Sequence, residues 1–153
     1  MNEEFGESGA WNLSVSVDTS YVSSSMISFA LSFESYTGGA HGFNASNFKH
    51  YNLETGEQMA VADMITDTLA FKELLEQSLR DEKSLAADQP LSEGGLFEEF
   101  DKSLPMPAEI SFTQDGLVAI YNAYEIAPFS EGPVVIELTD GELLPLLKDH
   151  KKP

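Results

Sequence analysis

Ile27-Ser28-Phe29-Ala30-Leu31-Ser32-Phe33-Glu34 alternates large apolar residues with small or polar ones over eight positions. A period of two puts Ile27, Phe29, Leu31 and Phe33 on one face of an extended strand. A face of that kind needs cover, most simply by a helix. Upstream, Trp11, Leu13, Val15 and Val17 repeat the alternation, and a Ser-rich connection over 19–25 joins the two runs. Downstream, Gly38, Gly39 and Gly42 interrupt the pattern within five positions, where glycine permits a positive φ and a tight loop. Phe43, Ala45, Phe48, Tyr51 and Leu53 then form another β-like run, with a phase shift near Ser46-Asn47. Residues 26–35 and 43–53 are expected to pair as an antiparallel hairpin through the glycine loop.

Phe71, Leu74, Leu75 and Leu79 fall at i, i+3, i+4 and i+8, an apolar stripe of helical period. Thr66, Asp67 or Thr68 can cap that helix. Glu76 and Arg80 make an i,i+4 pair on its outer side. The stripe is expected to cover the Ile27–Phe33 face. Phe97, Phe100 and Leu104 suggest a short second helix before Pro105. Asp115-Gly116 between apolar runs is a hairpin signal, Val134 to Leu138 is a last strand, and Thr139-Asp140-Gly141-Glu142 has capping-box spacing. The order of strands, helix and strands again indicates an α+β fold, a largely antiparallel sheet with one main helix on one face and one or two short helices. One domain is expected over residues 10–148, with a loose acidic tail at 1–9 and a C-terminal tail at 149–153.

The chain has 153 residues, and its 26 acidic against 8 basic side chains give a formal charge of −18. That balance excludes a protein that neutralises nucleic-acid phosphates with Lys and Arg, and it repels anionic membranes. Sixteen aromatic residues among many Leu, Ile and Val argue against disorder. The absence of cysteine removes thiolate catalysis and Cys-ligated metals. No apolar run approaches the ~20 residues that span a bilayer. The first residues lack the basic-then-apolar layout of a signal peptide, which leaves a cytoplasmic protein or a mature segment without its export signal.

His41, set between glycines, is the foremost titratable candidate, as a base, a ligand or a pH sensor. The alternative is a ring that bonds nearby backbone and pins the loop. His41, His50 and His150 are scattered, and His50 sits on a strand that reads as half exposed, so neither metal nor other cofactor is expected. The stretch from Tyr124 to Gly132 places Tyr124, Glu125, Pro128, Phe129 and Glu131 together, a stiff aromatic and acidic surface. Its alternative is a set of core plugs, Tyr124, Ile126 and Phe129, at a sheet edge. The enzymatic reading pairs His41 with Glu125, which would have to converge in one pocket.

Two stretches also carry a likeness. Tyr36-Thr37-Gly38-Gly39-Ala40-His41-Gly42 with Tyr51-Asn52-Leu53-Glu54-Thr55-Gly56 resembles the YTGGAHG and N-L-x-T-G signature of a bacterial family classed as a domain of unknown function. Tyr121 to Pro133 resembles its second signature, F-x-x-Y-E-I-A-P-Y-A-x-G. That family occurs in the extracytoplasmic part of RsiV-type anti-sigma factors, where it binds lysozyme, and at the N-terminus of PdaC-type polysaccharide deacetylases. The likeness implies an exported, periplasmic, extracellular or lipoprotein-anchored domain, with the helix packed on the sheet. It implies a non-catalytic binding or sensing module for a basic protein such as lysozyme, or for a cell-wall glycan. The alternative it leaves is a carbohydrate-active enzyme or an accessory domain of a deacetylase.

Overall fold

The structure is a computed structural model that describes residues 11–153, so the tail expected at 1–9 lies outside the described residues. Four strands form a first antiparallel sheet in chain order: β1 (Asn12–Val22), β2 (Met26–Tyr36), β3 (Phe43–Asn52) and β4 (Gln58–Met59). The helix α1 (Thr68–Lys83) follows, and three strands, β5 (Glu109–Phe112), β6 (Gly116–Tyr121) and β7 (Val134–Thr139), make a second antiparallel sheet. A short helix α2 (Asp140–Leu143) and single 3-10 turns complete an α+β fold. The short helix expected around Phe97–Leu104 is a 3-10 turn at Glu98–Phe100.

Local signals act where the side chains can satisfy the backbone. The Asp67 carboxylate accepts from the Leu69 and Ala70 amides and starts α1. Thr139 and Glu142 form the capping box of α2, and these hydrogen bonds from the Thr139 hydroxyl and then its amide lower the Glu142 pKa. Gly116 follows the Asp115 turn because a Cβ there would collide with the Leu138 carbonyl oxygen across the β6–β7 ladder. Arg80 is not on the outer side of α1. It is buried, pairs with Glu76 at 2.9 Å, and donates to the carbonyls of Ala86 and Gln89 at 3.1 and 2.7 Å. Burial is tolerated because the fork of guanidinium donors is met by acceptors on both sides.

β2 and β3 pair antiparallel, with Leu31 opposite Asn47 and Phe33 opposite Ala45. The register runs unbroken from Phe43 to Asn52, so the phase shift expected near Ser46-Asn47 is absent. The apolar residues of β3 instead change faces, with Phe43, Ala45 and Tyr51 on one and Phe48 on the other. The irregularity of this sheet lies in β1, between Thr19 and Tyr21.

The expected seat of the helix is overturned. α1 packs on the second sheet, nearest β7, and Ser78 reaches the Glu137 carbonyl. Phe71, Leu75 and Leu79 are buried with Leu117, Ala119, Tyr121, Val134, Ile136 and Leu138 in one apolar cluster. From β1, β2 and β3 only Met26 is among the buried members of that cluster. The first sheet turns its polar face inward. Ser28 and His50 are buried, whereas Ile27, Phe29, Leu31 and Phe33 are half-buried and Leu13, Val15 and Val17 are exposed.

Leu75→Ala therefore should cost about 2–5 kcal/mol, the range of core truncations. Val17→Ala, 58% exposed in the single chain, should stay within about 0.5 kcal/mol for the dilute monomer, as surface changes do. Urea unfolding of both variants checks this, and equal losses would return the core to the first sheet.

Candidate functional site

The inward polar face of the first sheet meets β5, the edge strand of the second. An edge strand needs partners for the backbone groups its neighbour leaves free. His50 donates from Nε2 to the Ile110 carbonyl at 2.7 Å and accepts at Nδ1 from the Ser28 hydroxyl at 2.7 Å. The Phe48 amide donates to the Glu109 carboxylate at 2.6 Å, and the Ser20 and Ser111 hydroxyls bond each other at 3.2 Å. Asn122, at the end of β6, accepts from the Ser46 amide at 2.8 Å and donates to the Ser46 carbonyl at 3.1 Å. His50, expected on a half-exposed strand, is thus a buried member of this joint. Burial lowers its pKa from 6.5, the hydrogen bond to Ile110 opposes that shift, and Lys49 adds to it.

The joint fixes the end of the β2–β3 hairpin beside the connection between β6 and β7. In the hairpin loop Gly38 and Gly39 adopt φ of +93° and +109°, a region closed to most side chains. Gly42 has a different reason, since a Cβ there would stand 2.9 Å from the Ser35 carbonyl oxygen. Tyr36 donates its hydroxyl to the Gly39 carbonyl at 3.1 Å. His41 donates from Nδ1 to the Gly42 carbonyl at 2.8 Å, which leaves Nε2 of the neutral ring as an acceptor.

In the second loop Ile126 and Ala127 are buried, and the Phe97 amide bonds the Ile126 carbonyl at 2.9 Å. Anchoring the middle in the core turns Tyr124 and Glu125 outward on one side and Phe129 on the other. Of the three residues weighed as core plugs, only Ile126 is one. Tyr124 is 54% exposed and carries φ of +73°, a conformation that costs a bulky L-residue roughly 1–3 kcal/mol.

That strained turn aims Tyr124 at the first loop. The Tyr124 hydroxyl lies 3.4 Å from His41 Nε2, and the His41 ring stacks on Phe129 with centroids 3.7 Å apart and planes 16° apart. Tyr124 and Phe129 meet at 5.7 Å. His41, Tyr124 and Phe129, 83 or more positions apart from hairpin to loop, so become one aromatic cluster. Glu125 and Glu131 point elsewhere. Asn122 Nδ2 donates to Glu125 at 3.4 Å, and Glu131 pairs with Lys83 at 3.5 Å, with its carboxyl against Gly95.

Beside the cluster lies an open cavity of about 280 Å³, with Phe129 on one side and Asn12, Glu34, Tyr36, Phe43 and Asn44 opposite. Asn12 pairs with Tyr36 and Glu34 with Asn44 across the strands, so these four side chains share one face. Among the described residues, the side chains of Asn12, Glu34 and Asn44 have no hydrogen-bond or ion-pair partner. Reading the sequence missed these residues, because their meeting depends on register and on a loop about 90 positions away. Among the described residues no cluster of three or more His, Asp or Glu side chains could hold a metal, and no helix is long and apolar enough to cross a membrane.

The model of a family described as "Protein of unknown function (DUF3298)" matches residues 62–140, just over half of the chain. Two solved structures share the fold. A family member from Bacteroides fragilis aligns at a TM-score of 0.78 and 22% identity, over 94% of this chain and 57% of its own. One from Pseudomonas aeruginosa aligns at 0.69 and 20%, over 92% of this chain and 63% of its own. The chain thus spans less than two thirds of either protein, and at these identities the likeness concerns the fold alone. No curated protein matches the chain.

The joint carries a pH signature. Because the folded pKa of His50 lies below 6.5, its contribution to stability is complete above pH 6.5. It falls as pH drops from 6.5 through the folded pKa, since the unfolded chain takes up the proton first. NMR titration should place His50 below 6.5, and thermal unfolding between pH 8 and 5 should lose a step that His50→Gln lacks. A His50 pKa at or above 6.5 would contradict the buried, neutral ring.

Proposed function

The chain belongs to the DUF3298 family, and from that premise we propose that it is an exported binding or sensing module of the cell envelope. The site is the His41–Tyr124–Phe129 cluster with its adjoining cavity. One observation carries this reading: the two loops whose sequences resemble the family's signatures meet, and backbone strain at Tyr124 is retained where they do. Strain held at an exposed side chain is a mark of a recognition surface rather than of packing. A catalytic pairing of His41 with Glu125 has less support. The imidazole is engaged by a backbone carbonyl, a phenol and the Phe129 face, and the Glu125 carboxylate is held by Asn122.

The ligand proposed is a basic protein, with a lysozyme as the representative the likeness points to. A charge of −18 draws cations and speeds their encounter, while specificity falls to the fixed cluster. Glu34 supplies a carboxylate that has no partner among the described residues and lies beside aromatic rings, which suits a Lys or Arg side chain. A cell-wall glycan is the second reading, favoured by the amide groups of Asn12 and Asn44 in the same cavity.

Calorimetry with a lysozyme should show binding at low salt that weakens as screening shortens to about 8 Å at physiological strength. The pair Glu34→Gln and Phe129→Ala should lower affinity at least tenfold. Heat with soluble peptidoglycan fragments but none with lysozyme would replace the protein by the glycan. Silence with both would overturn the reading.

A further inference from the structure

The outward face of the first sheet is the largest unexplained feature of the molecule. Leu13, Val15, Val17 and Val22 of β1 are 58–66% exposed, and Phe43 of β3 is 47% exposed. Register places Leu13, Val15 and Val17 beside Phe33, Leu31 and their neighbours, and Phe33 and Phe29 beside Ala45 and Lys49. Edge-to-face contacts, Phe29 with Tyr51 at 6.2 Å and Phe33 with Phe43 at 6.0 Å, hold the rings in a fixed relief. No described element packs over it.

We propose that this face is the interface with a second copy of the chain, two first sheets stacking as the halves of a β-sandwich. Its extent is the first argument. Exposed and half-exposed Val, Leu, Ile and Phe run without interruption across three strands, and a contiguous apolar patch of this kind marks an interaction surface.

Charge is the second argument, and it selects the occupant. The chain holds 26 carboxylates, yet none lies among the residues that β1, β2 and β3 direct to this face, where Lys49 is the one charge. A cationic partner would find no acidic group there to pair with. An anionic lipid surface is repelled by the charge of −18. A copy of the same face meets it apolar against apolar, and sheets stacked about 10 Å apart interdigitate such side chains. Lys49 can extend its ammonium to the rim and keep its stem in the contact.

The two copies carry −18 each, so the association has a salt dependence opposite to that of a basic ligand at the aromatic cluster. Sedimentation equilibrium of the full chain should show a monomer–dimer equilibrium that tightens when salt is raised from about 0.05 to 0.5 M. Val17→Glu, at an exposed position of β1, and Leu31→Gln, on the inner strand β2, should each weaken dimerisation at least tenfold. Circular dichroism of both variants should remain that of the parent. A chain that stays monomeric at every concentration and salt overturns the proposal. So does a dimer that both variants leave intact, which would seat the contact elsewhere. Lysozyme binding can fail without touching either result.

Discussion

The edge of β5 has to be satisfied, and the rest of the arrangement follows from how that is done. Backbone groups on sheet edges need partners, and here the Ile110 carbonyl of β5 and the Phe48 amide of β3 find side chains of the opposite sheet rather than another strand. His50 meets the Ile110 carbonyl, Ser20 meets Ser111, and the Glu109 side chain of β5 itself reaches back to the Phe48 amide. These ties require polar residues on the inward face of β1, β2 and β3. Strict alternation then sends the apolar set of the same strands outward. One requirement thus places a polar seam inside the molecule and an apolar sheet on its surface.

The same joint creates the candidate site. Asn122 clamps Ser46 through both its amide groups, as a further strand would, and so fixes the start of the β6–β7 connection beside β3. From there the buried Ile126 and Ala127 leave little freedom in the loop, and Tyr124 and Phe129 close on His41. The glycines of the hairpin complete the fit, Gly38 and Gly39 through left-handed backbone and Gly42 through close approach.

Much of this was legible in the sequence where the signal is local. The cap at Asp67, the box at Thr139 and Glu142, the Asp115-Gly116 turn and the hairpin through the glycine loop each rest on interactions within a few residues. The partner of the helix was not legible. Ile27, Phe29, Leu31 and Phe33 ask for cover as strongly as Val134, Ile136 and Leu138 do, and periodicity does not rank the two faces. The apparent phase shift at Ser46 arose because Phe48 is apolar on the face otherwise made of Ser, Asn and His. At the candidate site the stretches containing His41 and Tyr124–Phe129 stood out in the sequence, but Glu34, Asn12 and Asn44 did not. Nothing local distinguishes an outward Asn on a strand from one that borders a cavity.

The central claim is that the polar joint holds two distant loops together as one aromatic cluster. The ring protons of His41 report on it, because a face-on ring 3.7 Å away shifts them upfield. Proton NMR of the native chain should show that displaced His41 signal. Phe129→Leu should return it to the unstructured position, and Asn122→Ala, which cuts one tie of the joint without touching either ring, should move it part of the way. A His41 signal at the unstructured position in the native chain, or one indifferent to Asn122→Ala, would contradict the account.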